Sequence, residues 1–130
     1  MIILDLCGSQ ITAILTEIGN MISLEKLDLS HNKIVALPPK LGKLTRLTIL
    51  NLRANQLTAI PAEIGNIISL VELDLSHNKI VALPADLGNC TKLREINLSH
   101  NQLQEIPSEI GELGKLQKLT STNLKHYQAN

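Results

Sequence analysis

The twelve residues LDLSHNKIVALP occur unchanged at Leu27–Pro38 and again at Leu73–Pro84. Every register between and beyond them carries a variant. From Leu24 the chain reads LEKLDLSHNKIVALPPKLGKLTR, LTILNLRANQLTAIPAEIGNIIS, LVELDLSHNKIVALPADLGNCTK and LREINLSHNQLQEIPSEIGELGK, each 23 residues long, with no insertion or deletion between them. Residues 1–23, MIILDLCGSQITAILTEIGNMIS, hold the same register with some loss, and a sixth copy begins at Leu116 and fades after Leu119. A unit this short cannot bury its apolar face alone. Copies at a fixed period therefore stack side by side into a solenoid with one continuous core.

Within each block, leucines at the first, fourth and sixth places alternate with polar residues, as in Leu24, Leu27 and Leu29. The Leu27–Asp28–Leu29 alternation predicts a short strand with one buried face. Such a strand pairs with its counterparts in neighbouring blocks, and repeats of one orientation give a parallel sheet returned by a connection on the far side. At the ninth place stand Asn32, Asn55, Asn78 and Asn101. An amide offers two donors and an acceptor where the chain leaves the strand, so these four predict a structural ladder serving backbone groups of adjacent blocks. Pro38, Pro61, Pro84 and Pro107 follow; each fixes φ and removes a donor, which predicts the end of pairing and an irregular or 3₁₀ return. Gly19, Gly42, Gly65, Gly88 and Gly111 share one place and predict either positive φ or close crowding.

Composition narrows the function classes. Phe and Trp are absent and Tyr127 is the one aromatic residue, so the core is aliphatic. Twelve basic and twelve acidic residues give zero net charge. That balance argues against a nucleic-acid partner, which needs a basic stripe, and against a membrane surface, which needs a polybasic segment. No apolar run approaches membrane-spanning length, and MIILDLCG lacks the basic start and length of a secretory leader. Cys7 and Cys90 fall three blocks apart, roughly 15 Å at the spacing of strands in a sheet, beyond disulfide reach. With no paired cysteines flanking the array, a reducing cytoplasmic setting is expected.

The pattern LxxLxLxxNxLxxLPxxLGxLxx resembles the leucine-rich repeat, in particular the 23-residue intracellular type of Ras-suppressor-like and plant Ras-group proteins. The resemblance covers residues 1–119, with repeats starting at 1, 24, 47, 70, 93 and 116, and leaves 120–130 as a polar cap or tail. It implies an α/β solenoid of about five and a half repeats, a right-handed curved superhelix with short parallel strands on the concave face and irregular or 3₁₀ segments on the convex face. It also implies a non-catalytic protein-binding module, a scaffold or adaptor, in a group often concerned with small-GTPase signalling or cell polarity. The ends depart from the pattern. Ser9 stands for Asn and Leu15 for Pro in the first block; Ser121 stands for a core Leu and Leu124 for Asn in the last. The apolar start, Met1 to Leu6, leaves an open strand edge, the mark of a missing cap, of a partner, or of contact with another copy.

Side chains at the third, fifth, seventh and eighth places are expected to face the concave side. The candidate partner-binding set is Lys26, Asp28, Ile49, Asn51, Arg53, Glu72, Asp74, His77, Glu95, Asn97 and His100. This is a polar ribbon of mixed charge. Of the residue types that dominate interface hot spots, it contains only Arg53. His77 and His100 should neighbour each other, but two histidines fall short of the three or four ligands of a metal site. Ser76, His77 and Asp74 lie along one strand without a pocket or oxyanion donors, so no catalytic residue is assigned. No nucleotide or phosphate motif is present, and no cofactor is implied. Two rival readings remain: a structural spacer, or the targeting segment of a larger protein such as a ligase, a kinase or a GTPase-linked protein.

Overall fold

The computed structural model describes residues 1–121, so Thr122, Asn123, Leu124 and most of the expected 120–130 tail lie outside the described residues. Six strands of three residues, β1 (Ile3–Asp5), β2 (Lys26–Asp28), β3 (Ile49–Asn51), β4 (Glu72–Asp74), β5 (Glu95–Asn97) and β6 (Lys118–Thr120), pair in chain order as one open parallel sheet. Every junction keeps the same register, with Leu4 beside Leu27, Leu27 beside Leu50 and finally Ile96 beside Leu119. A one-residue slip would turn each central Leu from core to solvent, which is why the pattern holds the register so firmly.

The return path is set by the prolines. Pro38, Pro61 and Pro84 sit at φ −71°, −68° and −72° with ψ of 142°, 149° and 140°. These are extended values that proline already prefers. Each leads into a 3₁₀ turn: Pro39–Lys43, Ala62–Asn66 and Ala85–Asn89. In the first block, Leu15 adopts the same geometry (φ −72°, ψ 149°) before the 3₁₀ turn Thr16–Asn20. The fifth block differs by widening into one α-helical turn, α1 (Ser108–Gly111).

Between sheet and turns runs a single aliphatic core. Leu27, Leu50 and Leu73 from the strands are sealed from solvent with Leu41, Ile64 and Leu87 from the turns. The turns stack as closely as the strands. A Cβ on Gly42 would lie 2.5 Å from the Glu63 carbonyl oxygen, and one on Gly19 would lie 2.7 Å from that of Lys40. Gly19, Gly42, Gly65 and Gly88 thus serve crowding, whereas Gly111 meets nothing within 4 Å; positive φ occurs at Gly8 alone among the described glycines. Cys90 occupies a core place, fully buried, with Sγ 3.3 Å from the Ile64 carbonyl. Burial pushes its thiol up to about 11. The first block is thinner: Leu4, Leu6, Ile11, Ile14 and Ile18 are only partly buried, and Met21, at the same place as Cys90, is 39% exposed on the outer side.

Candidate functional site

Two sets of polar side chains line the strand face, and their surroundings divide them sharply. The first is inward. Asn32, Asn55, Asn78 and Asn101 are each 7–9% exposed. The Asn78 amide donates to the carbonyls of Leu52 (3.0 Å), Leu75 (3.0 Å) and Ser76 (3.2 Å), while its Oδ1 accepts from the Leu57 N–H (3.0 Å). Leu52 and Leu57 belong to the preceding block, so one side chain ties two blocks. Asn55 and Asn101 repeat the arrangement, and Asn32 accepts from both Ser9 and Ile11 (3.0 and 2.9 Å). In a buried setting each bond left unmade costs far more than each bond made contributes. These four residues are therefore structural in geometry.

The second set faces outward, and here the expected concave places separate. The seventh place is a correction: Ser30, Ser76 and Ser99 are buried (4%, 0% and 9% exposed) and do not extend the ribbon. The Ser76 N–H and hydroxyl both donate to Asp74 Oδ1 (2.9 and 2.6 Å), and Ser30 does the same to Asp28 (2.9 and 2.6 Å). Asn97 likewise serves Ser99, and Asn51 accepts from the Arg53 N–H at 3.0 Å. The fifth-place side chains, assigned from the sequence to partner contact alone, also close the strand's C-terminal end as local Asx turns. The alternation of strand places carried no signal for this, because an Asp used in a turn and an Asp offered to a partner are written the same way.

The eighth place ends the strand in an unusual conformation. His31, Ala54, His77 and His100 all have φ between 56° and 59°, the left-handed region that costs a side chain roughly 1 kcal/mol. Three histidines and an alanine at this corner fit its exposure rather than a shared chemistry. His77 and His100 stack with ring centroids 4.2 Å apart and planes 20° apart. Desolvation beside that ring, then the charges of His100, Arg53 and His31, pull the His77 imidazole below its ordinary range, with Asp74 opposing. Among the described residues no group of three or more His, Cys, Asp or Glu side chains is arranged to hold a metal.

What remains free for a partner is the third place, with the outer atoms of the fifth. Ile49, Asn51, Glu72, Asp74, Glu95 and Asn97 line an open depression of about 190 Å³ along β3–β5, closed at one end by Lys118 and Thr120 of β6. Glu72 and Glu95 stand directly opposite each other across β4 and β5. Like charges in that position oppose sheet pairing. Lys26 on β2 and Arg53, whose Nη1 donates to Ser76 Oγ at 3.1 Å, flank this acidic centre on one side, and Lys118 flanks it on the other. The ribbon can bind charge and shape; its geometry contains no nucleophile–base pair.

Comparison with known proteins gives this geometry a family. The family description "Leucine-rich repeat region" matches residues 3–98, and "Leucine Rich Repeat" matches residues 92–113. The chain is a leucine-rich repeat protein. Among solved structures, a leucine-rich repeat protein of Leptospira interrogans is 29% identical, covering 94% of this chain and 38% of that one, with a TM-score of 0.79. An internalin (inlF) from Listeria monocytogenes is 31% identical over 91% of this chain and 34% of its own (TM-score 0.78). The leucine-rich repeat ectodomain of the receptor kinase SOBIR1 from Arabidopsis thaliana is 30% identical over 92% of this chain and 69% of its own (TM-score 0.80). Curated relatives include the CCR4-Not complex 3'-5'-exoribonuclease subunit Ccr4 of Aspergillus fumigatus, 50% identical over 44 residues, and that of Neosartorya fischeri, 48% identical over 44 residues. The matched segment is 34% of this chain and only 6% of those relatives. The leucine-rich repeat fold is in general a non-catalytic protein-interaction module. No helix among the described residues is long and apolar enough to cross a membrane.

Proposed function

We propose that this leucine-rich repeat chain binds one partner protein along its strand face and serves as a scaffold or adaptor in signalling. One observation carries the reading: Glu72 and Glu95 are set side by side at the centre of an open depression, against the interest of the sheet itself. A partner presenting Lys or Arg there converts that repulsion into attraction, while Ile49 offers the apolar contact beside it. Lys26, Asp28, Asn51, Arg53, Asp74 and Asn97 frame the contact, with the stacked His77 and His100 at the turn that follows β4 and β5. Zero net charge argues against nucleic acid and anionic lipid as the occupant. Two free cysteines, one exposed and one buried, are consistent with a reducing cytoplasmic setting.

The test is capture of a partner from extract followed by charge reversal. The double variant Glu72→Lys/Glu95→Lys is expected to lose the partner, while Lys40→Glu, on the turn face, keeps it. Equal capture by all three proteins would place binding elsewhere. A second reading has its own support: the matched segment is a small part of relatives named as exoribonuclease subunits. On that reading the ribbon is the targeting segment or spacer of a larger enzyme, and a catalytic domain encoded on the same polypeptide would favour it.

A further inference from the structure

The flank of the solenoid where the chain enters its strands carries a second charged feature, separate from the strand face. Lys92, Arg94 and Lys115 line an open depression of about 600 Å³ there, together with Val71, Leu116 and Gln117, and no acidic side chain is among its lining residues. Lys92 and Lys115 hold the same place in consecutive blocks, so their backbones lie roughly 4.8 Å apart, one strand spacing. The Arg94 N–H donates to the Val71 carbonyl (2.9 Å), and its own carbonyl accepts from Gln117 and Lys118 (2.8 and 3.0 Å), which fixes the backbone and leaves the guanidinium outside. All three side chains are exposed and, among the described residues, make no ion pair and no side-chain hydrogen bond. Like charges gathered in this way repel one another. The repeat itself does not need them. The equivalent triplets of earlier blocks are Ser23–Glu25–Arg46, Arg46–Thr48–Ser69 and Ser69–Val71–Lys92, with formal charges of 0, +1 and +1 against +3 here. Stacking does not cover this flank either. Arg46 is exposed with blocks on both sides, and Arg94 already has β6 beyond it, so a further block on β6 would leave the depression open. Residues 122–130, TNLKHYQAN, contain no acidic side chain to neutralise it.

We propose that this depression receives an acidic segment of a partner protein, an extended stretch rich in Asp and Glu. Charge complementarity names the sign, and the layout names the class. The cations stand on three separate long side chains around a wide opening, and the backbone N–H groups of Arg94, Leu116 and Gln117 already have acceptors. That arrangement suits several carboxylates along a chain better than one small anion. In an extended peptide, alternate side chains lie about 6.8 Å apart on one face, a spacing that flexible Lys and Arg stems can follow. No aromatic side chain lines the depression to stack on a base, as single-stranded nucleic acid requires. Three cations also fall short of the cluster of about four to eight that marks an anionic-lipid site. The site is independent of the strand face, whose acidic centre attracts the opposite charge.

Fluorescence anisotropy with a dye-labelled oligo-glutamate peptide reads the proposal. Saturable binding is expected, weakening as salt is raised because the contacts are exposed. Lys92→Ser/Lys115→Ser should bind about tenfold more weakly, two exposed charge contacts of about threefold each. Serine already stands at that place in Ser23 and Ser69, so the solenoid accepts it, and an unchanged urea midpoint verifies that. The control Lys33→Gln/Lys79→Gln removes the same charge from the flank where the chain leaves the strands. Gln10, Gln56 and Gln102 hold that place in the other blocks, and this variant should bind as the parent does. Absence of saturable binding, or an equal loss in both double variants, would overturn the proposal. So would tighter binding to phosphatidylserine vesicles or to a poly-dT oligonucleotide than to the peptide, lost in Lys92→Ser/Lys115→Ser.

Discussion

Replacing Gly42 with Ala adds a single methyl group at the tightest kind of contact in this molecule. Gly42 lies within the turn Pro39–Lys43 and packs on the next turn, Ala62–Asn66; its new Cβ would lie 2.5 Å from the Glu63 carbonyl oxygen and 3.1 Å from Glu63 Cβ. An ordinary carbon–oxygen contact is about 3.3 Å or more, so the two turns must separate by about 0.8 Å. The obstacle is backbone, which cannot rotate away, and the sheet on the other side resists any local opening. Overpacking of this kind costs about 3 kcal/mol, the upper part of its usual range. For a chain of this size that is a fall in Tm of about 12 °C. Gly111 supplies the control. It holds the same place in the fifth block, yet a Cβ there meets nothing within 4 Å. Because Gly111 lies in α1, Gly111→Ala should raise stability by about 0.5 kcal/mol through helix propensity alone. Thermal or urea unfolding of both variants decides the matter. Equal effects from the two substitutions, or a loss below 1 kcal/mol for Gly42→Ala, would show that the stacked turns are looser than the crowding argument requires.

Asn78→Ala leaves the Leu57 N–H without its acceptor and takes one donor each from the carbonyls of Leu52, Leu75 and Ser76, which keep the Asn55 amide, the Asn101 amide and the Ala54 N–H. A loss of about 3 kcal/mol in urea unfolding is expected, and an unchanged midpoint would refute the ladder. Leu15→Pro should stabilise by about 0.5 to 1 kcal/mol, because Leu15 already has proline geometry, its side chain is 71% exposed and its N–H makes no hydrogen bond among the described residues; a lower Tm would mean that the first block needs that N–H. Cys90 brings a pH dependence: the unfolded thiol ionises near 9.0 while the folded one holds its proton to about 11. Stability is then full below pH 9 and falls as pH rises between those values, and Cys90→Leu, matching Leu44 and Leu113, should flatten that fall. A decline identical in both proteins would mean that Cys90 is solvated in the native state.

The repeat was legible because its spacing is a physical constraint felt identically in block after block. Leu27, Leu50 and Leu73 announce the sheet, and Pro38, Pro61 and Pro84 announce the exit from it, before any coordinate is considered. Where the structure went beyond the sequence, the missing information lay in conformation rather than residue type. The left-handed backbone at His31, Ala54, His77 and His100 is invisible in the letters, since glycine, the residue that would signal it, stands at that place only as Gly8. The buried seventh-place serines escaped for a related reason: strict alternation points them toward solvent, but the turn begins one residue early and folds them onto Asp28, Asp74 and Asn97.

That turn also changes where partner discrimination can reside. The fifth-place oxygens of Asp28, Asp74 and Asn97 already accept two bonds from their own strand ends, and Asn51 accepts one. Substituting them changes the fold and the surface together, so a mutation scan of the ribbon that includes them cannot separate the two. The third place carries no such duty, and it is also where the blocks differ most in chemistry: Ile3, Lys26, Ile49, Glu72, Glu95 and Lys118 lie in one line across the six strands. A solenoid built from near-identical units must draw its individuality from positions that its own packing leaves unused. On this chain the third-place line, with its central pair of opposed glutamates, is such a set, and variation there changes the charge of the strand face without loosening a single block.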